Sequence, residues 1–268
     1  MPRLAMPLLD RCRSLRPLRR GARPVASSPC DTVLARVLAL SAKRRAPLAA
    51  ALGAGLLLGA GPIHPPGSLE AAGWTHAPWH GLEPARWRVL GDGVAVEGAG
   101  QGSFVWRRVQ GDAACLTWRW RVDQGPPATD LTRQGGDDRA LSVAIGFSGW
   151  PPDATAWQRM RHGVAQAAAG GHTLPRSVLI YVWGGTGREP LPFPSPWLHG
   201  LGKVRVLRAA DAPRGQWFEQ RVNLAADWKA SFGAAPPPLQ EIAIGTDTDD
   251  TRTRIEARVE AIRFGPCP

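Results

Sequence analysis

Apolar and polar residues alternate without exception along the stretch Leu116-Thr117-Trp118-Arg119-Trp120-Arg121-Val122, which follows Cys115. Successive side chains of a β-strand point to opposite faces of a sheet, so this pattern predicts a strand with its leucine, tryptophans and valine on one face. The threonine and the two arginines then lie on the other face. One buried face and one wet face are typical of an antiparallel sheet.

Strand-like runs continue on both sides of this stretch. They cover residues 87–90, 94–96, 103–109, 139–147, 177–183, 203–207 and 217–224, and two more runs flank residues 245–251. The run 177–183 is apolar on both faces, as in a central strand. Regular alternation of strands and helices, which builds parallel α/β sheets, is not visible. The chain is therefore predicted to be all-β, a jelly-roll-like antiparallel β-sandwich with one or two short helices.

Two segments have the features of helices. Residues 153–169 follow Pro151-Pro152, begin with Asp153 as a capping residue and end at Gly170-Gly171. Residues 225–232 are a second, shorter candidate. Both lie between predicted strands, so we expect them to be helical connections between strands of the sheets.

The formal net charge of +11 raises the question of nucleic-acid binding. Residues 1–45 hold 11 of the 33 lysines and arginines but 2 of the 22 acidic residues, a local charge of +9. The remaining 22 basic and 20 acidic residues leave the rest of the chain at +2. Because the excess charge lies in the tail and the body is nearly neutral, no nucleic-acid partner is predicted.

The N-terminal tail has the features of a secretory signal peptide. Lys43-Arg44-Arg45 precede Ala46–Gly61, an uncharged run whose apolar part is shorter than the roughly 20 residues of a membrane span. We expect residues 1–61 to be a basic extension and signal peptide, 62–73 a linker, and 74–268 a single β-sandwich domain. The protein would then be periplasmic or secreted, with the membrane contacted only through the signal segment. The alternative is an uncleaved membrane anchor.

Export makes disulfide bonds possible. Cys115 opens the alternating strand, and Cys267 follows the last predicted strand. A bridge between them would close a loop of about 150 residues and contribute roughly 4–5 kcal/mol in the chain-entropy model. Two free thiols are the equally open alternative.

Two acidic clusters stand next to predicted strands. Residues 245–251 read Gly-Thr-Asp-Thr-Asp-Asp-Thr, and residues 136–139 read Gly-Asp-Asp-Arg. Carboxylates this close repel one another unless a cation lies among them. Asp247 and Asp249 are two residues apart, so in extended chain both face one way, and their oxygens would suit Ca²⁺. The alternative is a turn whose Asp and Thr side chains bond their own backbone.

Strand parity places Arg139 on the same face as Leu141, where its guanidinium needs a carboxylate partner. Asp247 or Asp249 would serve, which makes a buried Arg–Asp network between two loops. The other interpretation makes Asp138, Arg139 and Asp249 the floor of a polar ligand site.

Tryptophan is unusually frequent, with 12 residues against one tyrosine and six phenylalanines. Four are assigned to the core of the sandwich: Trp87, Trp118, Trp120 and Trp217. Trp183 and Trp197 border loops rich in glycine or proline and are candidates for exposure. An exposed indole can stack on the face of a sugar while Asp and Arg bind its hydroxyl groups.

Several of these stretches together resemble a bacterial family known only as domain of unknown function 3047. The matching stretches run in order along residues 74–265: the strand 116–122, Gly-Asp-Asp-Arg at 136–139, Tyr181-Val182-Trp183, Trp217 with Arg221 and Asn223, and Thr-Asp-Thr-Asp-Asp-Thr at 246–251. The family usually has Asn where Asp250 stands and often Met where Gly245 stands. The resemblance implies an exported bacterial domain with a jelly-roll sandwich, and it implies no activity.

Three functions stay open on the sequence. The first is a binding module for a glycan or another polar envelope component, with Asp138, Arg139, Trp183, Asp247 and Asp249 at the site. The second is a hydrolase or lyase that acts on a polysaccharide through paired Asp residues. The third is a structural envelope protein without a ligand. Calcium is the one cofactor that the acidic residues suggest, since the sequence contains no nucleophile elbow, zinc-binding histidine pattern or phosphate loop.

Overall fold

The computed structural model describes residues 64–112 and 115–267, and within these ranges the chain forms twelve strands and two helices. The strands are β1 Thr75–Pro78, β2 Arg86–Leu90, β3 Gly93–Ala99, β4 Gly102–Arg108, β5 Cys115–Gln124, β6 Arg139–Phe147, β7 Ser177–Gly184, β8 Phe193–Pro194, β9 Gly202–Arg208, β10 Phe218–Asn223, β11 Leu239–Asp247 and β12 Arg254–Gly265. The helices are α1 Ala156–Ala168 and α2 Leu224–Phe232.

The strands make two sheets. The seven-stranded sheet has the order β1-β4-β11-β6-β7-β9-β8, and the five-stranded sheet has the order β10-β5-β12-β3-β2. Neighbouring strands are antiparallel except β7 and β9, which are parallel because the long connection 185–201 returns to the same end of the sheet and carries β8. The predicted all-β sandwich is confirmed, with this one parallel pair added.

Aromatic side chains fill the space between the sheets. Trp118 and Trp120 of β5 are fully buried, and their rings meet edge to face at 5.4 Å. Across the interface, Tyr181 of β7 lies 5.8 Å from Trp118, and Trp183 lies 5.6 Å from Trp120. Such aromatic pairs add about 0.5–1.5 kcal/mol each beyond the apolar area they bury. The inward face predicted for the alternating strand is therefore the centre of the core.

The outward residues of β5 lie on the far face of the five-stranded sheet. Arg119 is opposite Glu260 of β12 in register and forms an ion pair with it. Arg119 also lies over the ring of Trp217, 5.2 Å from its centre. The sequence assigned Trp217 to the core, but it is only half-buried, because it precedes β10 at the edge of this sheet.

Both predicted helices are present, although α1 begins later than expected. Its cap is Thr155, whose hydroxyl accepts the N–H of Gln158 at 3.2 Å, while the Gln158 side chain accepts the N–H of Thr155 at 2.7 Å. This reciprocal box needs Glu or Gln three residues after the cap. Asp153, the predicted cap, has Ala156 at that position and cannot form the box.

Helix α2 closes one end of the core. The side chain of Asn223 caps its first turn, and Gly233 ends it with a positive φ of 75°. Trp228 is fully buried, with its ring 4.5 Å from Phe147 and 4.4 Å from Phe232. The helix is thereby held by its tryptophan as well as by its caps.

The sandwich includes part of the predicted linker. Residues 65–74 form hydrogen-bonded turns, and Leu69 packs against the core. The predicted signal peptide, residues 1–61, lies outside the described residues and stays a prediction. Among the residues that the structure describes, no helix has the length and hydropathy to span a membrane.

A disulfide bond joins Cys115 and Cys267 across a sequence separation of 152 residues. Of the two alternatives that the sequence left open, a bridge and two free thiols, the structure contains the bridge. The bond links the first residue of β5 to Cys267, which lies two residues after the end of β12. Strands β5 and β12 are neighbours in the five-stranded sheet. Both sheets, the core and this bond lie within residues 64–267, so we expect the fragment 64–268 to fold without the preceding residues.

Replacing both cysteines, Cys115→Ser with Cys267→Ser, is expected to lower the free energy of unfolding of this fragment by about 5 kcal/mol in the chain-entropy model. The measurement is urea unfolding followed by tryptophan fluorescence. A reductant should bring the wild type to the same stability and leave the double variant unchanged. Equal stability of the oxidised wild type and the double variant would contradict a stabilising bond.

Candidate functional site

A β-bulge at the start of β6 determines where Arg139 lies. The pairings of β6 with β11 and with β7 both shift register next to Arg139, where β6 has one residue more than either neighbour. The extra residue turns Ala140 into the core and Arg139 onto the outer face, which is the face of the seven-stranded sheet that points away from the five-stranded sheet. The prediction that Arg139 shares the face of Leu141 is wrong, because parity holds only along an unbroken strand.

The bulge brings the two acidic clusters together around one guanidinium. Arg139 Nη1 donates to the main-chain oxygen of Asp137 at 2.9 Å and to its Oδ2 at 3.3 Å. The same nitrogen lies 3.5 Å from Oδ2 of Asp247, its partner in register. Trp79 lies beside the guanidinium, 5.9 Å from its central carbon to the ring centre. The side chains of Arg139, Asp137 and Asp247 are 8–14% exposed, so the network is largely shielded from water.

Asp138 has a different task from its neighbours. It is fully buried, and its Oδ2 accepts the N–H of Thr251 at 2.8 Å and the Thr251 hydroxyl at 2.5 Å. Its Oδ1 accepts the N–H of Asp250 at 3.3 Å. The carboxylate therefore braces the turn after β11, and its hydrogen bonds point into the protein.

Asp247 carries the most perturbed carboxyl group of the site. Its pKa is raised to about 8, mainly by burial and also by the neighbouring Asp249 and the charge of Asp137, while Arg139 opposes the shift. At neutral pH Asp247 therefore holds a proton. The pKa of Asp250 is also raised, to about 6, by burial and by the nearby charges of Asp249 and Asp138.

The same turn contains a candidate cation site. Carboxylate oxygens of Asp138, Asp249 and Asp250 lie within 4.8 Å of one another. Such oxygens suit Ca²⁺, with water and carbonyl groups as further ligands. This set shares only Asp249 with the pair predicted from the sequence, since Asp247 is directed to Arg139. Binding of calcium stays a prediction.

Trp183 cannot contact a ligand on the surface. It is 1% exposed and packs between Trp120 and Phe218 in the core. The sequence placed it at the site because the run 177–183 is apolar on both faces and gives no indication of which residues point inward.

Trp197, the other candidate, is 51% exposed. Its indole N–H donates to Oδ2 of Asp137 at 2.6 Å, and Gln134 donates to the main-chain oxygen of the adjacent Pro196 at 2.9 Å. Both contacts hold the ring in place beside the Arg139 network. The indole ring of Trp197 is thus exposed to solvent and fixed in orientation.

Three cross-strand rows form the outer face next to this network, since residues opposite each other in register share a face. The rows, read across β4, β11, β6 and β7, are Gly102-Asp247-Arg139-Gly184, Phe104-Gly245-Ser142-Val182 and Trp106-Ala243-Ala144-Ile180.

The middle positions of the second and third rows are small, and larger side chains flank them. The result is a groove along β11 and β6, which we call the outer groove; its floor consists of Ser142, Ala144, Ala243 and Gly245. Ala144 and Ala243 are half-buried, so this part of the floor is open to solvent. A Cβ atom on Gly245 would lie 2.9 Å from the Ser142 hydroxyl and 3.4 Å from Trp79. Glycine at this position therefore leaves room for Ser142 and Trp79 to pack against β11, and the exposed part of the floor is Ala144 and Ala243.

Aromatic pairs stand at both ends of the outer groove. At the Arg139 end, Trp79 packs on Phe104 at 4.4 Å and donates its N–H to the main-chain oxygen of Thr246. At the other end, His172 stacks on Trp106 at 3.9 Å. In register, Phe104 lies opposite Gly245 and Trp106 lies opposite Ala243, two residues apart on β11, which is a length of about 7 Å.

Glu241 marks the far end of the outer groove. Its Oε2 lies 2.7 Å from Nε2 of His172, and its side chain packs beside Pro175 at Gly146. The groove thus has polar groups at both ends, with His172 and Glu241 at one and the Arg139 network at the other.

Sequence reasoning missed Trp79, Phe104 and Trp106 as site residues. The signal for two of them was present, because Phe104 and Trp106 alternate with small or apolar partners in the predicted strand 103–109. Which face of that strand would be exposed depends on the long-range pairing with β11 and could not be seen locally. Trp79 belongs to a loop, and its contacts bridge 167 residues of sequence.

Residues 73–263 match the model of a protein family, DUF3047, which is described as "Protein of unknown function". No curated protein matches the chain.

Two solved structures illustrate its similarity to known folds. The K2 cleaved adhesin domain of Lys-gingipain is 13% identical, with a TM-score of 0.30 over 72% of this chain and 90% of that one. The family 11 xylanase of Neocallimastix patriciarum is 9% identical, with a TM-score of 0.33 over 73% of this chain and 93% of that one. At these values the similarities carry no argument about ligand or activity.

Asp138→Asn is expected to destabilise the protein by about 2 kcal/mol, because charge-assisted hydrogen bonds to the turn after β11 are weakened. The measurement is urea unfolding of fragment 64–268, with Asp250→Asn, on the exposed side of the same turn, as the matched control. Melting curves with calcium and with a chelator test the cation site on the same samples. A variant at Asp138 as stable as the control would contradict the bracing role.

Asp247→Asn is expected to flatten the dependence of stability on pH. The folded pKa of Asp247, about 8, lies above the unfolded value of about 3.9. Between these values the folded protein holds a proton that the unfolded chain lacks, so stability falls as pH rises, by at most about 1.4 kcal/mol per pH unit.

The free energy of unfolding, measured from about pH 4 to pH 9, should therefore fall more steeply for the wild type than for Asp247→Asn. Asp92→Asn, an exposed carboxylate of the other sheet, serves as the control and should follow the wild type. Parallel profiles for all three proteins would contradict a buried, protonated Asp247.

Proposed function

The chain belongs to the DUF3047 family, whose description assigns no function, and we propose that it is an exported binding module for a glycan or another polar ligand of the cell envelope. The ligand lies in the outer groove, between the aromatic pair at Trp79 and the pair at Trp106.

The observation that carries this proposal is the shape and chemistry of the outer groove. Small side chains at Ala144 and Ala243 leave an open floor, and the aromatic pairs beside it stand about 7 Å apart along β11. A concave, mostly apolar surface with a few placed polar groups is the usual form of a small-ligand site. Sugar rings match it, since their C–H faces pack on apolar surface and their hydroxyl groups need polar partners.

Polar partners are present at both ends. Arg139 and Asp137 lie beside Trp197, whose exposed ring extends the groove with a plate for a further sugar unit. His172 and Glu241 supply a donor and an acceptor at the other end. A ligand with hydroxyl groups along its length can therefore bind at both ends while its rings cover the small residues.

The location follows from the N-terminal signal peptide predicted from the sequence. Its removal would release the sandwich into the periplasm or the medium, where envelope polysaccharides are present and where the disulfide bond between Cys115 and Cys267 can form.

A second candidate function, a hydrolase or lyase acting on polysaccharide, is favoured by one observation. The pKa of Asp247 is raised to about 8, and the neighbouring Asp249 contributes to this shift. A carboxylic acid that holds its proton at neutral pH, beside a second carboxyl group, resembles the pairs that cleave glycosidic bonds. A purely structural role accounts for Asp138, whose bonds all serve the turn, but it gives no reason for the open floor at Ala144 and Ala243.

Filling the groove is the direct test. A glycan array that includes peptidoglycan, lipopolysaccharide-core and capsule fragments identifies a binding oligosaccharide, and calorimetry then measures its affinity. Ala243→Phe should weaken this affinity about tenfold or more, because the phenyl ring occupies the floor. Trp197→Ala should weaken it about fivefold through the loss of stacking.

Trp217→Ala, a half-buried tryptophan of the other sheet, is the matched control and should bind as the wild type does. Unchanged affinity of Ala243→Phe would exclude the outer groove as the site, and an array without any binder would exclude the glycan. If the wild type cleaves the bound oligosaccharide and Asp247→Asn does not, the protein is a hydrolase or lyase and the binding-module proposal is wrong.

A further inference from the structure

Helix α1 faces the protein with its polar side and the solvent with its apolar side. Three polar side chains on one face bind the body of the protein: Gln158 donates to the main-chain oxygen of His199 at 2.7 Å, His162 lies 3.0 Å from that of Pro175, and Gln166 donates to that of His172 at 2.8 Å. No residue of the helix is buried. The usual arrangement of a surface helix, with the apolar stripe toward the core, is therefore inverted.

The opposite face of α1 is apolar and exposed. Residues of an α-helix turn by about 100° each, so Trp157, Met160 and Val164 lie together, on the side away from Gln158 and His162. Their exposed fractions are 61%, 50% and 69%. Three large apolar side chains in one stripe at this exposure are costly in water, because each would gain from leaving it.

The charged side chains of this helix are all positive. Residues 156–168 contain Arg159 and Arg161 and no aspartate or glutamate, and Asp153 lies in the turn before the helix. Arg161 borders the stripe and lies over the ring of Trp157, 5.8 Å from its centre. The surface therefore combines an apolar ridge with positive charge.

We infer that α1 docks the protein on an anionic lipid surface. Trp157, Met160 and Val164 enter the boundary between headgroups and acyl chains, and Arg161 binds lipid phosphate. Arginine beside an apolar stripe with tryptophan is the pattern of helices that lie in the plane of a membrane interface.

Two features favour lipid over a protein partner. The stripe is a convex ridge, which suits a soft, flat surface, and a protein would need a matching groove. The positive charge of Arg159 and Arg161 complements a negative lipid headgroup layer, where each arginine strengthens attachment. The inference is independent of the outer groove, since none of the three apolar residues contributes to it.

The test is co-flotation of fragment 64–268 with protein-free vesicles. Vesicles of phosphatidylglycerol and phosphatidylcholine in equal parts should carry the fragment, pure phosphatidylcholine vesicles should carry much less, and about 1 M salt should release it because charges are then screened within about 3 Å. Trp157→Ala should reduce the partition coefficient about tenfold, and Arg161→Gln about fivefold.

Two variants on the five-stranded sheet are matched controls. Trp217→Ala and Arg263→Gln remove a tryptophan and an exposed arginine away from α1 and should float as the wild type does. The replaced residues on α1 are exposed, so near-ultraviolet circular dichroism should confirm an unchanged fold.

Absence of flotation, or equal flotation of Trp157→Ala and the wild type, would overturn the inference. Equal binding to neutral vesicles would overturn the role of charge. If vesicles carry nothing and sedimentation instead reveals a dimer that Met160→Glu dissociates, the occupant of the ridge is a second copy of the chain and the lipid assignment is wrong.

Discussion

The alternation of side chains along β11 links the core to the candidate site. Ile242, Ile244 and Thr246 point inward and are fully buried, so Ala243, Gly245 and Asp247 must point to the outer face. Because β11 lies in the middle of the seven-stranded sheet, its outward residues become the floor of the outer groove and one end of the ionic network. A one-residue shift of its register would exchange the two faces and remove both the core contacts and the groove.

Five aspartates and one arginine meet at the end of this strand, and the fold tolerates them in different ways. Asp138 is satisfied by two backbone N–H groups and a hydroxyl of the following turn. Asp137 receives the indole N–H of Trp197 and shares Arg139 with Asp247, which stays protonated. Asp249 and Asp250 are closer to water. This division explains why a cluster that looks uniform in sequence contains bracing, ionic and titrating members.

The local sequence pattern predicted most of the fold but a smaller part of the candidate site. The strict alternation at 116–122 indicated which tryptophans fill the core, and the helix at 153–169 was visible from its flanking residues. The face of Arg139 was not, because a bulge adds a residue without changing the apolar pattern around it. Trp183 was wrongly placed at the surface because the run 177–183 is apolar on both faces, so its pattern does not indicate which side chains point into the core. The floor of the groove depends on four strands in register, and small residues such as Ala144 have no local signature of that role.

The position of the last two strands bears on how the chain reaches its native state. Strand β12 is the central strand of the five-stranded sheet, and β11 lies inside the seven-stranded one. Neither sheet can therefore be completed until nearly the whole polypeptide has left the ribosome or emerged from a translocation channel. The earlier strands must wait with unpaired edges, which are prone to aggregation. A chain whose central strands are synthesised last cannot complete its sheets during synthesis, and this delay is compatible with the export proposed above.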